Sequence, residues 1–432
     1  NGTANQHISS TPTMSVGTFT RNIGAGKAIA LTNLSFSGTT LSLNTDTLEF
    51  TAGSELMMDG GYITNGVIYK STLPALKLTA GNGTYSTSLT ITSPQTEFYG
   101  TMQFYGSTNY FRNNFINYGI LENYPSTTYT LNIAGNITNN GTIRNNTNYS
   151  LNLNITGNIS NNGTWENNNT ILSGNNNQDV SMTQPVSCAQ FQRYAGAGWV
   201  RATSALTFEG TEVILSGDTL EFTTGSALTL NGGYLYNGVV LKQAMPALLL
   251  DNSNGTYFQS VTVNAVEATL EGSLLFFSIN RFIGNVTNNG TIRNYPVSSY
   301  TLTVTGNFTN NGTVTNNGYD FDMIISGNLT NNGVWTNEGT TLNGTANQEI
   351  SMTQPFSGIT FSRTAGAGRL IAVTDLTFNN TQITLNNDTM QFTTGAALTM
   401  NGGYLYPGML YKTSLPALKI SGSGGFYFYN LM

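Results

Sequence analysis

The chain has one cysteine and one histidine in 432 residues, and only 8% of its residues are charged. A single thiol, Cys188, excludes an intrachain disulfide and any site built on several thiolates. His7 is the sole imidazole available to a Ser-His-Asp arrangement, and its position carries Asp179 and Glu349 in corresponding segments, so a surface histidine is expected. The 15 Lys and Arg are scattered among 21 Asp and Glu, for a net charge of −6, which speaks against a nucleic-acid partner. No apolar run reaches the roughly 18 residues of a bilayer span. Helical periodicity with caps is missing as well.

What fills the chain is repetition. "DTLEFTAGSELMMDGGYITNG" at 46–66 returns as "DTLEFTTGSALTLNGGYLYNG" at 218–238 and as "DTMQFTTGAALTMNGGYLYPG" at 388–408, offsets of 172 and 170 residues. A shorter period lies inside: "GNITNNGT" (135–142) and "GNISNNGT" (157–164) are 22 apart, and "GNVTNNGT" (284–291), "GNFTNNGT" (306–313) and "GNLTNNGV" (327–334) follow at 22 and 21. So short a piece cannot bury an apolar face alone and must stack on its neighbours. The expected fold is all-β: a parallel β-helix (β-solenoid) of coils of about 22 residues, grouped in tandem units of roughly 171 residues. The units are 1–172, 173–342 and a partial 343–432, continuing as one rod of roughly twenty coils.

Composition supports this. Short period-2 runs such as "TLTVTGNFTN" (301–310) put Leu302 and Val304 on one face. Of 57 Asn, 39 fall within 109–178 and 280–347, where Ile143, Trp165, Ile292, Val314 and Trp335 recur at fixed positions and argue for a packed core. The Asn-Asn-Gly steps are expected to turn corners with left-handed residues, and their amides to stack as ladders on successive coils. Pro74, Pro246 and Pro416 recur at one point, which should be a strand edge, a strand start or a loop excursion.

Sites for chemistry are sparse. "GAGK" (24–27) would need glycine where Arg21 stands and Ser or Thr where Ala28 stands to be a phosphate loop, and its counterparts end in Trp199 and Arg369. A glycine turn with an indifferent exit residue is expected. The recurring acids Asp46, Asp218 and Asp388 come one per unit without a recurring partner acid, a poor basis for a hydrolase or lyase. No enzyme activity, metal or cofactor is expected.

"GNLTNNGVWTNEGTTLNGTANQEISM" (327–352), with "GNISNNGTWENNNTILSGNNNQDVSM" at 157–182, resembles the large tandem-repeat surface and fibre proteins of Bacteroidota-type bacteria, whose Asn-Gly coils lead into N-G-T-x-x-Q-x-I-S and a Thr/Leu-rich strand series. The resemblance covers essentially the whole chain and implies an extracellular, cell-surface β-solenoid fibre or adhesin. Modification of such a chain has two candidate sets. Asn-x-Ser/Thr triplets at Asn136, Asn140, Asn154, Asn158, Asn162, Asn307, Asn311 and Asn328 are N-glycosylation candidates, although an Asn/Thr-rich repeat generates them by composition. Asp-Thr followed by an aliphatic residue is the O-glycosylation pattern of those bacteria, and it marks Thr47, Thr219 and Thr389; a plain Asp-Thr turn entering a strand is the alternative.

The functional expectation is a structural protein whose repeats continue end to end, in one polypeptide or by stacking of separate copies, as a filament, stalk or surface fibre. Both ends of the chain read like repeat interior. The alternative is an adhesin that binds surface glycans through the solenoid face. Tyr62, Tyr234 and Tyr404, each following Gly-Gly, are its candidate stacking residues, although inward packing is the favoured placement for them.

Overall fold

The computed structural model describes residues 3–22, 24, 26–106, 109–147, 149–194, 196, 198–364, 366, 368–394 and 397–432, with the backbone alone at 253–254. Every regular element among them is a β-strand, and the fold is a parallel β-solenoid of about 19 turns with a spacing near 22 residues between paired strands. The chain divides into two compact units, Asn1–Asp218 and Thr219–Met432. The boundary falls inside the second sequence repeat.

In the first unit, strand Ile137–Asn139 pairs in parallel with Phe115–Asn117 on one side and with Ile159–Asn161 on the other. Ile143 stands between Leu121 and Trp165 in the same way. Alternation fixes the inward set: Ile137, Ile143, Ile159 and Trp165 are buried, while Thr138, Thr142 and Ser160 remain on the outside. The more apolar coils stack like on like. Leu34, Leu56 and Leu78 form one buried column, and Phe36, Met58 and Ala80 the next. Each such Leu, Phe or Met side chain contributes about 1.5–3 kcal/mol by leaving water. A coil gains this only with coils above and below it, which is why the pattern must repeat.

The second unit is built alike. Phe308 pairs with Val286 and Leu329, and Val314 with Ile292 and Trp335, all buried. Both buried indoles are satisfied by the segment that follows them. Trp165 Nε1 donates to Asn167 Oδ1 and Thr170 Oγ1 at 3.0 and 2.9 Å, and Trp335 Nε1 to Asn337 and Thr340 at 2.9 and 3.0 Å. Pro74, Pro246 and Pro416 lie in loops between strands, each after a cis peptide bond. This is the excursion among the three expected placements.

The Asn-Asn-Gly corners differ from expectation. Gly141 and Gly163 are not left-handed, nor are the asparagines before them. Glycine is required there by crowding: a Cβ on Gly163 would stand 2.1 Å from Gly141 O, and one on Gly141 2.2 Å from Gly119 O. The corner backbones stack so closely that no side chain fits between them.

Candidate functional site

The strongest recurring polar constellation joins residues remote in sequence. Arg193 is buried at the end of strand Gln190–Arg193, where its Nε donates to Asp218 Oδ2 at 3.0 Å. Its Nη1 donates to Gly174 O at 2.8 Å and to Gln178 Oε1, and its Nη2 to Gly198 O at 2.8 Å. Arg21 makes the same set with Asp46 (2.7 Å), Gln6 and Gly26 O, and Arg363 with Asp388 (3.0 Å), Gln348 and Gly368 O. The guanidinium therefore ties the glycine turn to the coil that begins at the aspartate. Of the turns, Ala25, Ala197 and Ala367 lie outside the described residues. Sequence reasoning singled out the aspartates but missed Arg21, Arg193, Arg363, Gln6, Gln178 and Gln348. Their recurrence at offsets of 172 and 170 was the available signal.

The aspartate also organises the Asp-Thr candidates. Asp46 Oδ1 accepts the Thr47 N–H at 2.7 Å and Asp388 Oδ1 that of Thr389 at 2.7 Å, while the other carboxylate oxygen faces the arginine. Thr47, Thr219 and Thr389 begin strands with the pattern half-exposed, buried, half-exposed, buried. Leu48 and Phe50 face in and Thr47 faces out, as the alternation required.

Each asparagine of G-N-x-T-N-N-G has its own task. The first caps the coil that follows: Asn136 Oδ1 accepts the Asn158 N–H at 2.8 Å, Asn158 the Asp179 N–H at 2.8 Å, Asn307 the Asn328 N–H at 2.8 Å and Asn328 the Glu349 N–H at 2.8 Å. The second is buried in an inner ladder. Asn117 Nδ2 donates to Asn139 Oδ1 at 2.8 Å, Asn139 to Asn161 at 2.9 Å and Asn161 to Gln184 O at 3.2 Å. In the second unit the series runs Asn288, Asn310, Asn331 at 2.8 and 2.9 Å, ending on Gln354 O at 3.2 Å. The third forms an exposed ladder, with Asn162 Nδ2 on Asn140 Oδ1 and Asn311 Nδ2 on Asn289 Oδ1, both at 3.0 Å. Asn154 Nδ2 likewise donates to Asn132 Oδ1 at 3.1 Å. All the N-glycosylation candidates thus serve as caps or ladder rungs.

The tyrosines correct the inward expectation. Tyr62 is 40% and Tyr404 46% exposed, and Tyr234 is half-buried. The cause is the left-handed pair Gly60–Gly61, which breaks the alternation so that Ile63 takes the inward place and Tyr62 turns out. The left-handed pairs Gly232–Gly233 and Gly402–Gly403 precede Tyr234 and Tyr404 in the same way. The outward rings meet others on neighbouring coils: Tyr62 stacks on Tyr85, Tyr234 on Tyr257 and Tyr404 on Tyr427.

The remaining titratable groups are placed for structure. His7 is exposed on strand Gln6–Ile8. Burial pushes the Cys188 thiol up to about 12, a poor nucleophile. Among the described residues no group of three or more His, Cys, Asp or Glu could hold a metal ion. The exit residue of the glycine turn joins a surface column: Lys27 Nζ pairs with Glu49 at 2.9 Å and lies over the Tyr69 ring, and Arg369 with Gln391 at 2.9 Å and the Tyr411 ring. No protein-family model, curated protein or solved structure matches the chain.

Proposed function

We propose that this is an extracellular structural protein whose solenoid repeats continue end to end as a filament, stalk or surface fibre, in the manner of the Bacteroidota-type surface proteins it resembles. The observation that carries the reading is the buried ladder from Asn117 through Asn139 to Asn161, with its counterpart from Asn288 to Asn331. These amides are spent on holding one coil to the next, and this recurs wherever the motif does. Such a device builds length and stiffness, and the reading assigns no reaction to the chain. Immunogold electron microscopy of cells that carry the protein, with sedimentation of the purified chain over rising concentration, tests it. Labelled fibres at the cell surface and self-association are expected; label confined to the cytoplasm with a strictly monomeric protein overturns it.

An adhesin is the second reading, favoured by the outward rings of Tyr62 and Tyr404. Surface glycans would then be the partner. Loss of glycan-array binding on Tyr62→Ala and Tyr404→Ala supports it, and unchanged binding removes it. Glycopeptide mass spectrometry of the same native material reads modification, with Thr47, Thr219 and Thr389 expected ahead of the ladder asparagines.

A further inference from the structure

The chain stacks coil on coil with no disulfide available to fasten them, since its one cysteine is buried and free. Its outer face nevertheless places pairs of phenols in register on successive strands. Tyr62 lies directly opposite Tyr85, Tyr234 opposite Tyr257 and Tyr404 opposite Tyr427. The ring centroids are 4.8, 4.5 and 5.3 Å apart, with planes inclined by 27°, 14° and 19°. The arrangement occurs at the same point of all three repeats, and none of the six rings is in the core.

We infer that these three pairs are sites of oxidative tyrosine–tyrosine cross-linking, which fastens adjacent coils covalently. The oxidant is a peroxide acting through a haem peroxidase, supplied from outside the chain. Each phenol gives up one electron and its hydroxyl proton to become a tyrosyl radical. Two radicals couple between the ring carbons ortho to oxygen, and each ring then returns its ortho hydrogen to its oxygen and regains aromaticity. Two C–H bonds are lost and one C–C bond is formed. The two electrons and two protons reduce one hydrogen peroxide to two waters.

Geometry favours these pairs over tyrosines without a stacked phenol, and Tyr99 on Tyr118, at 5.0 Å and 12°, is a fourth pair of the same kind outside the repeated point. The parallel strands hold the two Cα atoms about 4.8 Å apart, so the second radical is at high effective concentration beside the first. Partial exposure opens each pair to solvent on one side, toward which the rings turn from the stacked to the edge-on arrangement that bonding requires. Tyr194 and Tyr319 are as exposed, at 51% and 49%, but stack on no tyrosine among the described residues.

The test treats the full 432-residue chain, dilute, with horseradish-type peroxidase and hydrogen peroxide, and maps joined peptides by mass spectrometry beside dityrosine fluorescence. The expected result is that bonds 62–85, 234–257 and 404–427 form within monomers, at least about tenfold more often than bonds to Tyr194 or Tyr319. Tyr85→Phe keeps the stacked ring but has no phenol. It should abolish the 62–85 bond, leave the other two, and leave the circular dichroism and any glycan binding unchanged. Dityrosine mainly between molecules, mainly at Tyr194 or Tyr319, or absent from the treated protein overturns the inference.

Discussion

Arg193 Nε and Asp218 Oδ2 are 3.0 Å apart across 25 residues of chain, and both side chains are almost wholly buried. Arg21 with Asp46 and Arg363 with Asp388 span the same 25 residues in the other repeats. In a chain with so few charges, three are spent on buried arginines that reach no solvent. Each guanidinium also donates to a glutamine Oε1 and to a carbonyl of the glycine turn, the pattern of a fork satisfied on several sides. A buried pair of this kind fixes one arrangement more than it adds stability over an apolar filling. Here it fixes which turn lies over which coil.

Arg193→Met tests that role. The change keeps apolar bulk but removes the donor that faces Asp218, Gln178, Gly174 O and Gly198 O. A loss of about 3–5 kcal/mol is expected, because the carboxylate stays buried without its arginine. Adding Asp218→Asn should return part of the loss. Urea unfolding of the single and double variants measures both. A single variant within about 0.5 kcal/mol of the parent would deny the clamp any structural part.

The coil length, the parallel pairing and the inward places of Ile143, Trp165 and Trp335 were legible because they rest on a local period repeated many times. The asparagine ladders were legible as a class but not position by position. Which of two adjacent asparagines faces in depends on the corner backbone, and Asn139 is buried while Asn140 is exposed. The clamp was not read, because Arg193 and Asp218 meet only when a coil closes. Tyr62 was placed on the wrong side because the left-handed Gly60–Gly61 pair breaks the alternation, so that Met58 and Ile63 both face in and Tyr62 faces out.

Asp320, Asp322 and Glu338 give the second unit a pH dependence. Burial first, then the charge of Asp320, raises the Asp322 carboxyl, and burial followed by Asp320 and Asp322 raises Glu338. A raised folded-state value means that the folded chain holds these protons more tightly than the unfolded chain. Their favourable contribution is therefore full below the ordinary carboxylate range and lost as pH rises through the raised values. Urea midpoints should increase as pH is lowered from neutrality into that range. Asp320→Asn should raise the midpoint at neutral pH and flatten the slope; a slope left intact would assign the dependence to other groups.

The ladders make the sharpest comparison, because inner and outer rungs share chemistry and differ in burial. Asn139→Ala removes the acceptor of Asn117 Nδ2 and the donors to Asn161 Oδ1 and Thr164 O, all inside the wall of the first unit. Buried groups left without partners cost about 1–3 kcal/mol. Asn162→Ala breaks the bond to Asn140 and the one accepted from Thr183 at the surface, where water replaces both. That change should stay within about 0.5 kcal/mol. Hydrogen exchange gives a second reading: Asn139→Ala should speed exchange at the amides of 117–119 and 161–164, on the coils either side, while Asn162→Ala leaves them protected. Equal costs for the two variants, or exchange unchanged in the first, would mean that the buried amides fill space without holding the coils together. The structural reading of the repeat would then lose its main support.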